Sequence, residues 1–253
     1  HNLMGYDSHF IIKEMYELFP EKKDISVIPN SFENFMSFSM GNLKFIDSFQ
    51  FMASSLEKLV VNLYDDKNKY ENFHSMNQYY EKHMDLLCRK GFYPYEWVDD
   101  VSKMKTKGLP PKEAFYSKLS KESISDKDYQ HAQNVYDSLG CKTFRDYHMT
   151  YLKTDILLLA DVFENFRKTC ISNYGLDPAN YLTSPSLAWD AMLLLTNIEL
   201  DLITDLKMLD LIENNDQKLA EHLKEKIDSK GSVQDLKDLC AQMRSEEHTS
   251  ELQ

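Results

Sequence analysis

Apolar residues return every three or four positions between Asp7 and Leu18, at Phe10, Ile11, Met15 and Leu18, which predicts an amphipathic helix. From Leu43 to Phe51 the pattern changes. Aromatic and β-branched residues crowd together there and predict a strand. Ser54 or Ser55 then caps a helix carrying Leu56, Leu59, Val60 and Leu63. The polar, tyrosine-rich residues 65–83 predict helix and loop. Lys90-Gly91, with Pro94 behind it, marks a turn, and Leu109-Pro110-Pro111 marks a loop. A further helix is expected from about Asp126 to Leu139.

The strongest helical signal runs from Phe144 to about Tyr174. It opens on Thr143-Phe144-Arg145-Asp146, a capping-box pattern, and closes at Gly175 with Pro178 shortly after. Within it Ile156 to Phe166 is apolar almost all round, which predicts a buried helix. Residues 186–198 read as another buried helix. Past Glu213 the character changes. Residues 214–240 are charged and leucine-spaced, lack aromatics and are interrupted by Gly231, which suggests a surface helix pair or a segment joined from elsewhere. The last ten residues, Arg244 to Gln253, look like a translated sequencing-adapter oligonucleotide, a natural disordered tail being the alternative.

Composition narrows the function classes. With 253 residues the chain can form one large domain, or one domain and part of another. A net charge of −12 argues against a simple basic coat for nucleic acid, but does not exclude an enzyme that grips a strand locally and needs acidic metal ligands. Cys88, Cys141, Cys170 and Cys240 form no C-x-x-C pair, so neither a zinc ribbon nor a disulfide framework is indicated; reduced, buried thiols of an intracellular protein are expected. No apolar run reaches membrane-spanning length and no secretory signal is present, so no membrane partner is expected. The eight histidines show no metal-site spacing and are expected at surface or capping positions. No glycine-rich phosphate loop and no nucleophilic triad is found.

Two short acidic motifs carry the candidate chemistry: Asn2-Leu3-Met4-Gly5-Tyr6-Asp7, and Tyr151-Leu152-Lys153-Thr154-Asp155. Tyr151 and Asp155 are four apart, so on a helix they share a face. A carboxylate there can ligate a metal, and a phenol one turn earlier can orient an attacking water. Asp7 is a second candidate ligand. Tyr6 offers a ring for base stacking and Asn2 an amide. A satisfied tyrosine beside an exposed acid is the structural alternative. Tyr79, Tyr80, Phe92, Tyr93, Tyr95 and Trp97 offer either a stacking platform or core and turn packing.

Longer strings point to a family. They are HNLMGYDSHFII from His1, FIDSFQFMASSLEKLV from Phe45, KGFYPYEW from Lys90, LPPKEAFYSKL from Leu109, DYHMTYLKTDILLLADVFENFR from Asp146 and YGLDPANYLTSPSLAWDAML from Tyr174. In this order, over about residues 1–213, they resemble the protein-primed family B DNA polymerases of adenovirus-like viruses, small phages, linear organellar plasmids and Polinton/Maverick transposons. The wording is closest to the Polinton/Maverick and related animal-virus group.

The resemblance implies an α/β, helix-rich fold. Residues 1–175 would be a partial, ribonuclease H-like 3′-5′ exonuclease domain and 176–213 the start of the polymerase palm, with a helical segment of uncertain origin over 214–243 and an adapter-derived tail over 244–253. Asn2, Tyr6 and Asp7 match the second exonuclease motif: Asp7 would bind metal, while Asn2 and Tyr6 hold the frayed strand. Tyr151 and Asp155 match the third, Asp155 binding metal and Tyr151 positioning water. Ser55 and Leu56 fit an S/T-L-x-x-hydrophobic element that contacts primer and priming protein; a plain helix cap is the alternative for Ser55. Lys90 fits a K-x-x-hydrophobic element and would stabilise the scissile phosphate, or it is a solvated surface lysine.

The implied metal is Mg2+ or Mn2+ in a two-ion site that hydrolyses the last phosphodiester of a mispaired 3′ end. The implied partners are DNA, as the single-stranded primer end, and a terminal priming protein; dNTPs would bind only the intact polymerase. The implied setting is intracellular, in a nucleus or at a viral replication site. The chain also departs from the family. The first exonuclease motif, D-x-E, expected ahead of His1, is absent, as are D-x-x-S-L-Y-P, K-x-x-x-N-S-x-Y-G and Y-x-D-T-D. An inactive polymerase fragment is therefore expected. A non-catalytic remnant that binds single-stranded DNA or protein, or a gene-prediction fragment with no cellular role, stand as alternatives.

Overall fold

A computed structural model describes residues 1–3, 6–18, 25–31, 34–65, 67–200 and 204. The chain divides into two units, His1–Thr196 and Asn197–Gln253, and nearly all described residues belong to the first. The segments 214–243 and 244–253 and Cys240, His222 and His248 lie outside the described residues.

Among its described residues the first unit is helix-rich with one small three-stranded sheet. Helix α1 (Tyr6–Leu18) precedes strands β1 (Ile25–Pro29), β2 (Phe35–Met40) and β3 (Leu43–Ile46), an antiparallel meander in sequence order. Strands β2 and β3 pair Phe38 with Phe45, whose rings stack at 4.6 Å, a cross-strand contact of the kind that fixes register. Their connection needs only Gly41 and Asn42, and Gly41 takes φ +53°, which glycine adopts without strain. The strand predicted to reach Phe51 stops at Ile46. The buried Asp47 carboxylate accepts the Phe49 N–H at 3.0 Å and turns the chain into a single tight turn, Ser48–Gln50.

Among the described residues the remaining α-helices are α2 (Leu56–Val61), α3 (His74–Tyr80), α4 (Met84–Leu87), α5 (Asp126–Ser138), α6 (Phe144–Tyr174) and α7 (Ser184–Thr196), with short 3-10 turns between them. Their ends follow local chemistry. Ser55 accepts the Lys58 N–H at α2, and Ser125 accepts the Asp128 N–H at α5. The Asp146 carboxylate accepts the Thr143 N–H at 2.9 Å at the start of α6, and Gly175 closes that helix at φ +70°.

Helix α6, 31 residues and about 46 Å long, is the spine on which α2 and α3 pack. The core comprises Val60, Leu63, Phe73, Met76, Leu87, Ala132, Phe144 and Leu158 among others. Between Ile156 and Phe166 burial is deepest at Leu158, Asp161 and Val162; Ile156, 58% exposed, and Glu164 face outward and the rest are half-buried, so the all-round burial expected for this run is found only in part. Helix α7 departs likewise: of its apolar residues only Leu187 and Ala191 are buried, while Trp189, Met192, Leu194 and Leu195 are exposed. Hydrophobic composition states what a helix could bury; burial also requires a neighbour on each side.

Cys88 and Cys170 are buried, Cys141 is half-buried, and all three are free thiols. Burial pushes the Cys88 thiol up to about 12, which makes it unreactive. No helix among the described residues is long and apolar enough to cross a membrane.

Arg167 on α6 grips Asp177 with Nε and Nη2, at 2.9 and 2.6 Å, and ties the helix to the turn that follows. This pairing lowers the Asp177 carboxyl to about 2. A depressed carboxylate stabilises the fold above its unfolded value, about 3.9, and loses that contribution as pH falls through its folded value. The melting difference between wild type and Arg167→Gln is therefore expected to be constant near neutrality and to be lost progressively between about pH 5 and pH 1. Thermal melts of both proteins across that range check it; a difference at about pH 1 as large as at neutrality contradicts the role.

Candidate functional site

Asp155 projects from the middle of α6, half-buried, and its Oδ1 is enclosed without a hydrogen-bond partner among the described residues. Burial raises its pKa; the Tyr151 phenol and the charge of Lys90 act in the opposite direction. An enclosed, unpartnered carboxylate oxygen is costly in a fold unless something arrives to pair with it.

Tyr151 lies one turn earlier, enclosed by the segment Lys90 to Tyr95. Its hydroxyl is 2.6 Å from that of Tyr95, and its ring lies 4.9 Å from that of Tyr93. Gly91 passes so close that a Cβ there would meet Tyr151 Cδ2 at 2.9 Å, so a side chain at 91 would push the ring away. The segment is held from several sides. Tyr147 donates to the Phe92 carbonyl, the Tyr93 hydroxyl is 2.8 Å from His148 Nδ1, and Arg89 pairs with Asp128 at 3.3 Å. Lys90 is exposed at this rim, and its charge reaches Asp155. Burial, then the Tyr95 hydrogen bond and the Asp155 charge, raise the Tyr151 pKa, so the phenol keeps its proton at neutral pH. It can orient a water; it cannot act as a base there.

Beneath Tyr151 a cavity of about 20 Å³, room for roughly one water, is lined by Leu87, Gly91, His131, Thr150 and Thr154 among others. The buried Thr154 hydroxyl has no hydrogen-bond partner among the described residues. Burial lowers the His131 pKa, aided by Arg89 and opposed by Asp128. His131 and His148 are thus packed partners of the rim rather than surface groups.

A second cluster gathers the chain's first residues. Asn2 takes φ +64°, a left-handed conformation that asparagine tolerates, and its N–H donates to Asp47 Oδ1 at 2.7 Å. His1 Nε2 lies 2.7 Å from the Ser54 carbonyl, so Asn2 lies beside the Ser55 element. Ser55 itself caps α2, and Leu56 packs against the core. This loop reaches α6 through Phe51, whose ring meets Phe163 and Phe166 at 6.3 and 5.9 Å. Phe163 is eight residues from Asp155, about 12 Å along the same helix.

Tyr6 and Asp7 lie in the first turn of α1, both exposed; Tyr6, 76% exposed, meets Phe10 edge-on at 4.9 Å. The structure therefore brings together Tyr151, Asp155 and Lys90, and separately Asn2 and the Ser55 element. Among the described residues no three metal-ligating side chains gather at one point. Of the aromatic group, Tyr93 and Tyr95 surround Tyr151 and Trp97 packs on Phe144, whereas Tyr79 is exposed on α3. The contact of Tyr95 with Tyr151 and the anchoring of Asn2 by Asp47 carry no sequence signal beyond an aromatic cluster and an isolated acid.

Neither a curated protein nor a solved structure matches the chain. A family model described as DNA polymerase type B, organellar and viral, matches residues 1–229 and runs past Glu213. That stretch takes in the Lys90 segment, all of α6 and both residue clusters, and the chain belongs to the organellar and viral type B DNA polymerases.

Proposed function

We propose that residues 1–175 are 3′-5′ proofreading exonuclease sequence, ribonuclease H-like in the intact domain, of a protein-primed type B DNA polymerase, and that 176–213 begin its palm. The observation that carries this reading is the enclosed, unpartnered Oδ1 of Asp155, beside a protonated Tyr151 and within reach of Lys90.

Type B DNA polymerases bind DNA and dNTPs and use divalent metal ions. The donor at Asp155 fits one side of a cation site, and Asp7 is its proposed companion. When bound, Mg2+ or Mn2+ supplies water activation and stabilises the leaving oxygen. The chain's own groups orient and hold. The Tyr151 phenol positions water at the terminal phosphate, and Lys90 offsets phosphate charge. Tyr6 and Asn2 hold unstacked bases, and Ser55 and Leu56 contact the primer strand or the priming protein.

Two carboxylates fall short of a full two-ion site, so this polypeptide is proposed to hold strand ends without cutting them. A non-catalytic strand-binding or protein-binding remnant is the second reading, favoured by the lack of a three-ligand cluster among the described residues. The experiment is a gel shift and a degradation assay on an oligonucleotide with a frayed 3′ end, with Mn2+ or with chelator. The expected result is retention without degradation, weakened about 10-fold by Tyr6→Ala, as loss of one stacking contact predicts. Absence of binding overturns the strand-end reading. Degradation that Asp155→Asn abolishes overturns the proposed inactivity.

A further inference from the structure

Between the Lys90 segment and α5 the charge of the chain reverses. Residues 101–121 hold six lysines and a single acid, Glu113, within a chain of net charge −12. Three of these lysines are engaged: Lys103 pairs with Asp99 at 2.7 Å, Lys112 with Asp126 at 2.6 Å and Lys118 with Glu96 at 3.3 Å. Lys105, Lys107 and Lys121 are exposed, and no described carboxylate pairs with them. Apolar groups stand out between the cations. Leu119 is 96% exposed at the tip of a short turn, Lys118 to Lys121, closed by pairing of Ser117 with Glu122; Tyr116 is exposed beside it.

The segment is fixed rather than loosely draped. The Thr106 carbonyl accepts the N–H of Phe144, the first residue of α6, at 2.8 Å. Tyr136 and Tyr129 on α5 bond the backbone at Gly108 and Pro110, at 3.1 and 2.9 Å. Lys118 bonds Glu96 through both its N–H and its ammonium, and Glu96 follows Tyr95, whose hydroxyl touches Tyr151. A basic strap therefore hangs from the helix that carries Asp155 and is pinned beside the rim of that site.

We propose that residues 101–121 are a track for the phosphate backbone of the DNA strand whose end lies at Tyr151 and Asp155. The location of that end rests on the function proposed above; the affinity of the strap for phosphate does not. Charge complementarity selects the partner. A chain of net charge −12 repels a polyanion overall, so binding requires a local concentration of cations. Lysines act as point charges on flexible stems, which suits contact with phosphates without reading sequence. The exposed Tyr116 adds a ring on which a base can stack.

The test is fluorescence anisotropy of the full chain with a labelled oligo-dT of about 20 nucleotides, in chelator, across about 50 to 200 mM salt. The triple variant Lys105→Gln, Lys107→Gln, Lys121→Gln is expected to bind at least about 10-fold more weakly. Its log-affinity against log-salt slope should be shallower by about 2, at roughly 0.7 per lost phosphate contact. The matching triple arginine variant should bind as wild type does. Wild-type affinity and slope in the glutamine variant, or a loss equally deep in the arginine variant, overturns the proposal. Tyr6→Ala is expected to weaken binding with the slope unchanged. If the wild type shows no preference for a free 3′ end while the glutamine variant still loses slope, the strand-end reading fails and the track stands.

Discussion

Asp161→Ala is expected to lower the melting temperature by about 6–12 °C, which corresponds to about 3 kcal/mol for a unit of this size. Asp161 is buried on α6, and its two oxygens accept the N–H groups of Ser75 and Met76 at 2.7 and 3.0 Å. These N–H groups open α3, whose own N-cap, Phe73, offers no side-chain acceptor. A carboxylate 86 residues away in sequence thus caps that helix and fastens it to the spine. Alanine leaves two donors without acceptors, each costing about 1–3 kcal/mol, next to Met76 and Phe73 in the centre of the core. Asp161→Asn keeps the shape but exchanges one acceptor for a donor, so it too should melt well below wild type. Thermal melts followed by circular dichroism decide; an alanine variant within about 1 °C of wild type rules out the capping role.

Asp161 also marks where sequence reading stops. It sits inside the run from Ile156 to Phe166, where apolar neighbours suggest uniform burial, and its partners lie in a different part of the chain. Features written in consecutive residues are legible. Ser55, Thr143 with Asp146, and Gly175 mark their helix ends because capping is a contact over three or four residues. The pair Tyr151 and Asp155 is legible for the same reason. Strands β1 and β2 are not: five or six residues gain their structure from pairing across the sheet, which local patterning records weakly. The exposed face of α7 was invisible because burial is decided by what packs against a helix. The charge of Lys90 felt at Asp155, and Tyr95 and Asp47, which hold Tyr151 and Asn2, emerge only from the three-dimensional arrangement.

Asp155→Asn is expected to melt about 2–4 °C above wild type at neutral pH, a gain of about 1 kcal/mol. The wild-type carboxylate is half-buried with one oxygen unpartnered, and burial raises its pKa. The sign of the pH dependence follows. An acid whose folded pKa exceeds its unfolded value, about 3.9, binds protons more tightly in the folded state. Wild-type stability therefore falls as pH rises from about 4 through the folded pKa of Asp155, while asparagine has no such titration. The gap between the two proteins should be near zero below about pH 4 and full once the carboxylate is ionised. Asp177 titrates in both proteins alike, so it cancels in the difference. Millimolar Mg2+ or Mn2+ should narrow the gap at neutral pH by stabilising wild type alone, because an ion that binds only the folded form raises its stability by mass action. Such an outcome identifies Asp155 as a group kept ionised at a cost to the fold, as a ligand for a cation rather than a structural acid. An asparagine variant less stable than wild type, or a gap that ignores both pH and divalent ions, removes the central support for a metal-binding exonuclease site on α6.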